Sequence, residues 1–179
     1  MDYLKILHEN PDLADEFDSL FDFFLLDELS PRNDAEGRCT FSLPGMAFAR
    51  DGSGGEYHLL EDGSIGYYSS EGEAGRLAES MDDLFSLLVS CICWHDCCDT
   101  KQYVDSKTLE EYGQRQRNYN LEDMDSLQRV SDTLGIPAGE PLAPVLERFR
   151  KATQREPVYQ CIFHEDDGSL TESYGLMFE

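Results

Sequence analysis

Residues 45–70 read GMAFARDGSGGEYHLLEDGSIGYYSS. Three runs rich in aliphatic and aromatic residues, 45–51, 56–62 and 64–70, are separated by two glycine turns. Runs of this length and composition are strand-like, and Glu61-Asp62-Gly63-Ser64 is a tight-turn signal because Asp-Gly accepts positive φ. DGSGG at 51–55 divides the first pair in the same way. The segment therefore predicts a three-stranded antiparallel meander. A chain holding one must bury at least one face of it against something else.

What covers the meander is read from the flanks. Leu13, Phe17, Leu20, Phe21, Phe24 and Leu25 recur at spacings of three and four and predict a helix over 11–29, with Pro11 in its first turn. SPRNDAEG at 30–37 is turn chemistry that ends it. Ser80 is a candidate N-cap, with Asp82 and Asp83 in a first turn that favours negative charge; that helix runs to about Cys98. Further helices are expected over 106–116, 121–134 (stopped by Gly135 and Pro137) and 141–153. The C-terminal stretch predicts a hairpin: 158–163, a turn at Asp167-Gly168, then 170–174. Strands in runs and helices in runs indicate α+β, with a central meander plus a C-terminal hairpin and several packed helices. With 179 residues and no repeat, the expectation is one domain, 1–179.

The tempting motifs fail on chemistry. A trypsin-like nucleophile has its acid directly before the serine; here Gly52 separates Asp51 from Ser53, and only His8 precedes them. A phosphate loop opens a helix, whereas this one opens a strand. Calcium loops need oxygen ligands at alternate positions before their glycine; before Gly63 these hold His58, Leu60 and Asp62, and before Gly168 Phe163, Glu165 and Asp167, so neither set is complete. CICWHDCC at 91–98 gathers four thiols and an imidazole, but zinc sites use Cys-x-x-Cys knuckles in two separated halves. Its apolar residues continue a helical pattern, so core packing is expected. His58 and His164 are expected to be structural. The residues thus assign no catalytic, cofactor-binding or metal-ligating group.

Charge excludes more. Fourteen Lys and Arg face 37 Asp and Glu, a net charge of −23. Such a chain repels nucleic-acid backbones and anionic membrane surfaces and attracts basic proteins. The first residues lack a basic region followed by an apolar one, so a cytoplasmic protein with reduced cysteines is expected.

The block FARDGSGGEYHLLEDGSIGYYSSEGEAGRLAESMDDLFSLLV, Phe48 to Val89, resembles the core of the SUKH superfamily. The likeness lies in a strand ending in an acidic Gly-rich turn, a hairpin, and a polar cap before SMDDLFSLL. It covers about a quarter of the chain; SLPG at 42–45 stands where the family has a Leu-Pro segment, but no Asn-Gly turn follows. That superfamily holds Knr-type regulators of cell-wall synthesis and immunity proteins of bacterial toxin systems. The resemblance implies an α+β fold, no shared catalytic set and, for bacterial members, stoichiometric neutralisation of a cognate toxin. A basic toxin such as a nuclease fits the charge. The alternative it leaves is a regulatory or scaffold module. Candidate partner contacts are Glu56, Glu61, Asp62, Tyr68, Glu71 and Glu73, carboxylates for steering and a tyrosine for an anchor.

Overall fold

Residues 1–32, 38–139, 141–165, 167 and 169 are described by the computed structural model. Asp2 accepts the Lys5 N–H and caps α1 (Tyr3–Glu9); Pro11 then opens α2 (Pro11–Phe21). The apolar spacing that predicts a helix to residue 29 is interrupted. Asp22 takes a left-handed conformation (φ 51°, ψ 54°), and its N–H closes the helix on the Asp18 carbonyl at 2.8 Å. Phe23 drops into the core, and the chain continues as strand β1 (Phe24–Ser30). Both halves share apolar character, so spacing alone did not mark the break.

The meander forms as expected: β3 (Gly45–Arg50), β4 (Glu56–Leu60) and β5 (Ile65–Tyr68) pair antiparallel. Two strands join it. β1 pairs with β3 at one edge, and β6 (Ala74–Ala78) pairs with β5 at the other, giving the order β1-β3-β4-β5-β6. AGRLA is poor in strand-forming residues, and its pairing is decided by packing rather than propensity. Asp27 and Glu28 stand exposed on edge strand β1, where charge discourages pairing with other chains.

Alternation along the strands sorts side chains into two layers. Tyr57, Ile65, Tyr67 and Leu77 join the main core, which the helices fill from α3 (Met81–Cys91), α4 (Ser106–Asn120), α5 (Met124–Leu134) and α6 (Leu142–Thr153). Ser80, Asp105 and Asp123 cap α3, α4 and α5 by accepting backbone N–H groups. Phe48 breaks the alternation: the register shifts between Ala47 and Ala49, so three successive residues are buried at this bulge.

The opposite face carries a smaller core of Leu60, Tyr68, Ala74, Tyr159 and Cys161. A two-stranded ribbon covers it. β7 (Cys161–Phe163) pairs with β2 (Cys39–Phe41); the expected return strand of the C-terminal hairpin, 170–174, lies outside the described residues. Gly66 lets Tyr159 pack directly on the sheet, because a Cβ there would lie 2.7 Å from the Tyr159 ring. Gly66→Ala is therefore expected to cost about 2 kcal/mol in a urea titration. The cost should shrink in a Tyr159→Ala background, where the clash is gone.

The helix over CICWHDCC ends early. α3 stops at Cys91, and Trp94–Cys97 forms one short 3-10 turn. Cys91 and Cys97 are nonetheless fully buried in the main core, as the packing argument expects. All six cysteines are free thiols. Among the described residues no helix is long and apolar enough to cross a membrane.

Candidate functional site

Two stretches that carry separate motifs in the sequence meet at one end of the sheet. The first is the β3–β4 loop. Asp51 Oδ1 accepts the Ser53 N–H at 2.9 Å, the Ser53 hydroxyl at 2.7 Å and the Gly55 N–H at 2.8 Å. Its Oδ2 accepts a hydrogen bond from the Tyr67 hydroxyl. Gly54 has φ 91°, which glycine permits, and a Cβ on Gly55 would lie 2.0 Å from the Tyr67 oxygen. The glycines of this loop are thus required by a buried carboxylate that organises it. Ser53 hydrogen-bonds that carboxylate, not an imidazole.

The second stretch follows α3. Ile92 has φ 66° and ψ −64°, and the Cys93 N–H bonds the Cys91 carbonyl at 2.9 Å. These define a positive-φ γ-turn, a strained geometry that is rarer still for a β-branched residue. Burial of the Ile92 side chain holds it in place. The turn aims Trp94 inward, where its indole N–H donates to the Tyr57 oxygen at 3.1 Å. His95 stacks on Trp94 with ring centroids 3.6 Å apart, and meets Tyr67 edge-on at 5.2 Å.

Between them lies a cavity of about 200 Å³, lined by Asp22, Asp51, Tyr57, Ile92, Trp94 and His95, among others. Asp22 Oδ1 accepts the Gly52 N–H at 2.9 Å and ties α2 to the loop. Asn120, at the end of α4, reaches the rim and donates to Asp96 Oδ2 at 2.9 Å. Asp22 and Ile92, the two non-glycine residues with positive φ among those described, both line this cavity. Strain of this kind persists where surrounding structure over-determines it, and it gathers at functional sites. A larger depression of about 470 Å³ around Gly135 holds one titratable side chain, Asp132.

Electrostatics limit what the cavity can do. Packing pushes the His95 imidazole below its ordinary range, against the opposing pull of Asp51, Asp96 and Asp22. Burial raises Cys93, so it stays a thiol; a cysteine nucleophile needs the reverse shift. Burial would raise Asp51, but its hydrogen bonds from Tyr67, Ser53 and Gly55 outweigh that and hold it low. The site therefore presents carboxylates, a neutral imidazole and aromatic rings, without an activated nucleophile paired to a base. Among the described residues no group of three or more His, Cys, Asp or Glu is placed to hold a metal ion.

The six residues named as partner contacts do not form one patch. Glu56 and Tyr68 need correction, because both are buried, Glu56 at 2% and Tyr68 at 7% exposure. Glu56 receives Arg50 Nη2 at 3.0 Å and His58 Nε2 at 3.2 Å. Burial outweighs the pull of Glu56 and keeps His58 below the ordinary imidazole range. The neutral ring that donates to Glu56 accepts the Tyr159 hydroxyl at its Nδ1, 2.6 Å away. His58 is thus structural, as expected; His164 bonds Thr40 at 3.0 Å. Tyr68 points its oxygen at Cys39 Sγ, 3.8 Å away. Glu61 and Asp62 are exposed on the β4–β5 turn, at the far end of the sheet. Asp62 is held there by Ser64, Arg76 and Arg155. Glu71 and Glu73 are exposed on the β5–β6 turn, the same end as the cavity, where a Cβ on Gly54 would come within 3.7 Å of Ser70. Asp22 and Asn120 are unremarkable in their own segments, and His95 belongs to the cysteine-rich run read as core; only the fold brings the three together.

Searches of family models, curated proteins and solved structures return no match to this chain. What the fold and site define is a class: an α+β protein with an acidic, aromatic-walled pocket at one end of its sheet.

Proposed function

We propose that this chain is a non-catalytic, cytoplasmic binding module of the immunity type, which neutralises a basic toxin domain by covering the surface that holds the toxin's substrate. The observation that carries the reading is the distribution of its charge. Of only 14 basic residues, Arg50, Arg76, Arg129, Arg148 and Arg155 are engaged by the chain's own carboxylates. The excess of 23 negative charges is left to act outward. A nuclease surface must attract phosphate, so an acidic protein competes for it directly. The resemblance of residues 48–89 to the SUKH core supports the same reading.

The test is co-expression with the toxin domain encoded beside this chain. Cells should survive with it and die without it, and the purified pair should bind about tenfold or more weaker when salt rises from about 0.05 to 0.5 M, as screening predicts for steered association. Equal killing with and without the chain would sink the reading for that pair. Capture of several partners, none retained against salt, would point to the regulatory or scaffold alternative.

A further inference from the structure

The chemistry of the cavity is more specific than its charge. Its volume, about 200 Å³, lies below the roughly 300 Å³ at which small-molecule and cofactor sites begin. It suits a single side chain. Its floor is apolar and aromatic, from Leu20, Tyr57, Ile92 and Trp94, and would receive a methylene stem. Its rim is acidic. Asp22 Oδ1 is engaged by one backbone N–H, while Oδ2 has no hydrogen-bond partner among the described residues. None of the ion pairs among the described residues uses Asp22, Asp51 or Asp96. These three carboxylates therefore hold no cation of the described residues that a ligand would have to displace.

One wall is planar: the exposed His95 imidazole lies on Trp94 with an interplanar angle of 26°. A flat cation can lie against such a stack and donate sideways to a carboxylate. A guanidinium does both, since it is planar and forks to two oxygens, whereas an ammonium is a strongly hydrated point charge. The depressed His95 titration agrees, because a neutral ring does not repel the incoming charge.

We propose that this cavity receives an arginine side chain of the basic protein partner, with the guanidinium against the His95–Trp94 stack and paired to Asp22. The walls are set beforehand by the Asp51 cage, the Trp94–Tyr57 hydrogen bond and the two left-handed turns, so little ordering is needed on binding. Glu71 and Glu73 lie at the same end and would steer the approach. The proposal rests on the binding function above but has its own readout.

Trp94 is the only tryptophan of the chain, so its indole N–H signal reports on this cavity alone. Titration of the full chain with N-acetyl-arginine methylamide should move that signal saturably. The citrulline analogue, neutral and of similar shape, should not. Asp22→Asn keeps an acceptor for Gly52 and tolerates the left-handed conformation, so it should fold and bind the arginine probe about tenfold more weakly. An equal response to citrulline, unchanged affinity in D22N, or no saturable shift would each overturn the proposal. Protection in co-expression without a probe response overturns the pocket alone. A probe response with no protection overturns the immunity reading alone.

Discussion

Asp51→Ala should lower the unfolding free energy by about 4 kcal/mol, measured as a fall in the urea midpoint at unchanged slope. The carboxylate fills four hydrogen-bond positions from Ser53, Gly55 and Tyr67. Truncation leaves the Tyr67 hydroxyl and the Gly55 N–H buried without an acceptor, at about 1–3 kcal/mol each. Neither can turn to water easily, since Gly55 and Tyr67 are both buried. Asp51→Asn should cost much less, because its carbonyl oxygen still serves the loop amides. A loss below about 1 kcal/mol in Asp51→Ala would mean the loop holds its shape without the cage.

The same group sets part of the acid response. Its hydrogen bonds place its folded-state titration below the ordinary value of 3.8, although burial pushes the other way. Between those two values the unfolded chain binds a proton that the folded chain does not, so stability falls as pH falls below about 4. This contribution is fully present above that range. Asp51→Asn should lack it, and its stability should converge on that of the parent chain as acid is added. His58, by burial, and His95, by the rings and chain packed around its half-covered imidazole, are also depressed. They bind protons more readily when unfolded, so a shallower loss begins near pH 6.5; Asp51→Asn should deepen the His95 share, because it removes a charge that favours the imidazolium.

How much of this was legible in the residues depends on whether the cause was local. The meander was, because Asp62-Gly63 and the 51–55 glycines mark turns by backbone chemistry that needs no partner. The helices at 106–120, 124–134 and 142–153 were, to within a few residues, because caps and apolar spacing are local too. The break at Asp22 was not: Phe24 and Leu25 keep the helical spacing, and only the Gly52 contact and the buried Phe23 show why the helix stops. Glu56 reads as surface in the sequence because charged residues are seldom fully buried unless paired. Its partners Arg50 and His58 are near in sequence, but Tyr159, which completes the network, is a hundred residues on. The pocket was illegible for the same reason. The 51–55 and 91–98 stretches each carry chemistry-bearing residues, and nothing short of the tertiary fold places one beside the other.

Arg76 carries that lesson to its largest consequence, since an arginine on a strand of a very acidic chain reads as surface and is instead fully buried. Its Nε donates to the Ser64 hydroxyl at 2.9 Å, and Nη1 donates to the Arg155 and Pro157 carbonyls at 2.8 and 3.2 Å. Its Nη2 lies 3.5 Å from Asp62 Oδ2, which also accepts Arg155 Nη2 at 2.8 Å. One fork thus pins the β4–β5 turn, β6 and the segment leaving α6 together. That segment delivers Tyr159 onto Gly66 and then enters β7, so its docking holds the whole smaller core. Arg76→Ala should lower stability by about 3–4 kcal/mol, because it strips the donors from the buried Ser64 hydroxyl and from the Arg155 and Pro157 carbonyls and leaves the volume of a buried side chain empty. Arg76→Lys should recover only part of it, because an ammonium cannot reach Ser64, Asp62 and both carbonyls at once. Amide exchange separates this from a general loss of packing. Protection should fall first at Tyr159–Phe163 and the paired Cys39–Phe41, while Leu84–Leu88 in α3 keeps its ranking above them. Uniform loss across both regions would show that the fork supports the fold as a whole and not the ribbon layer in particular.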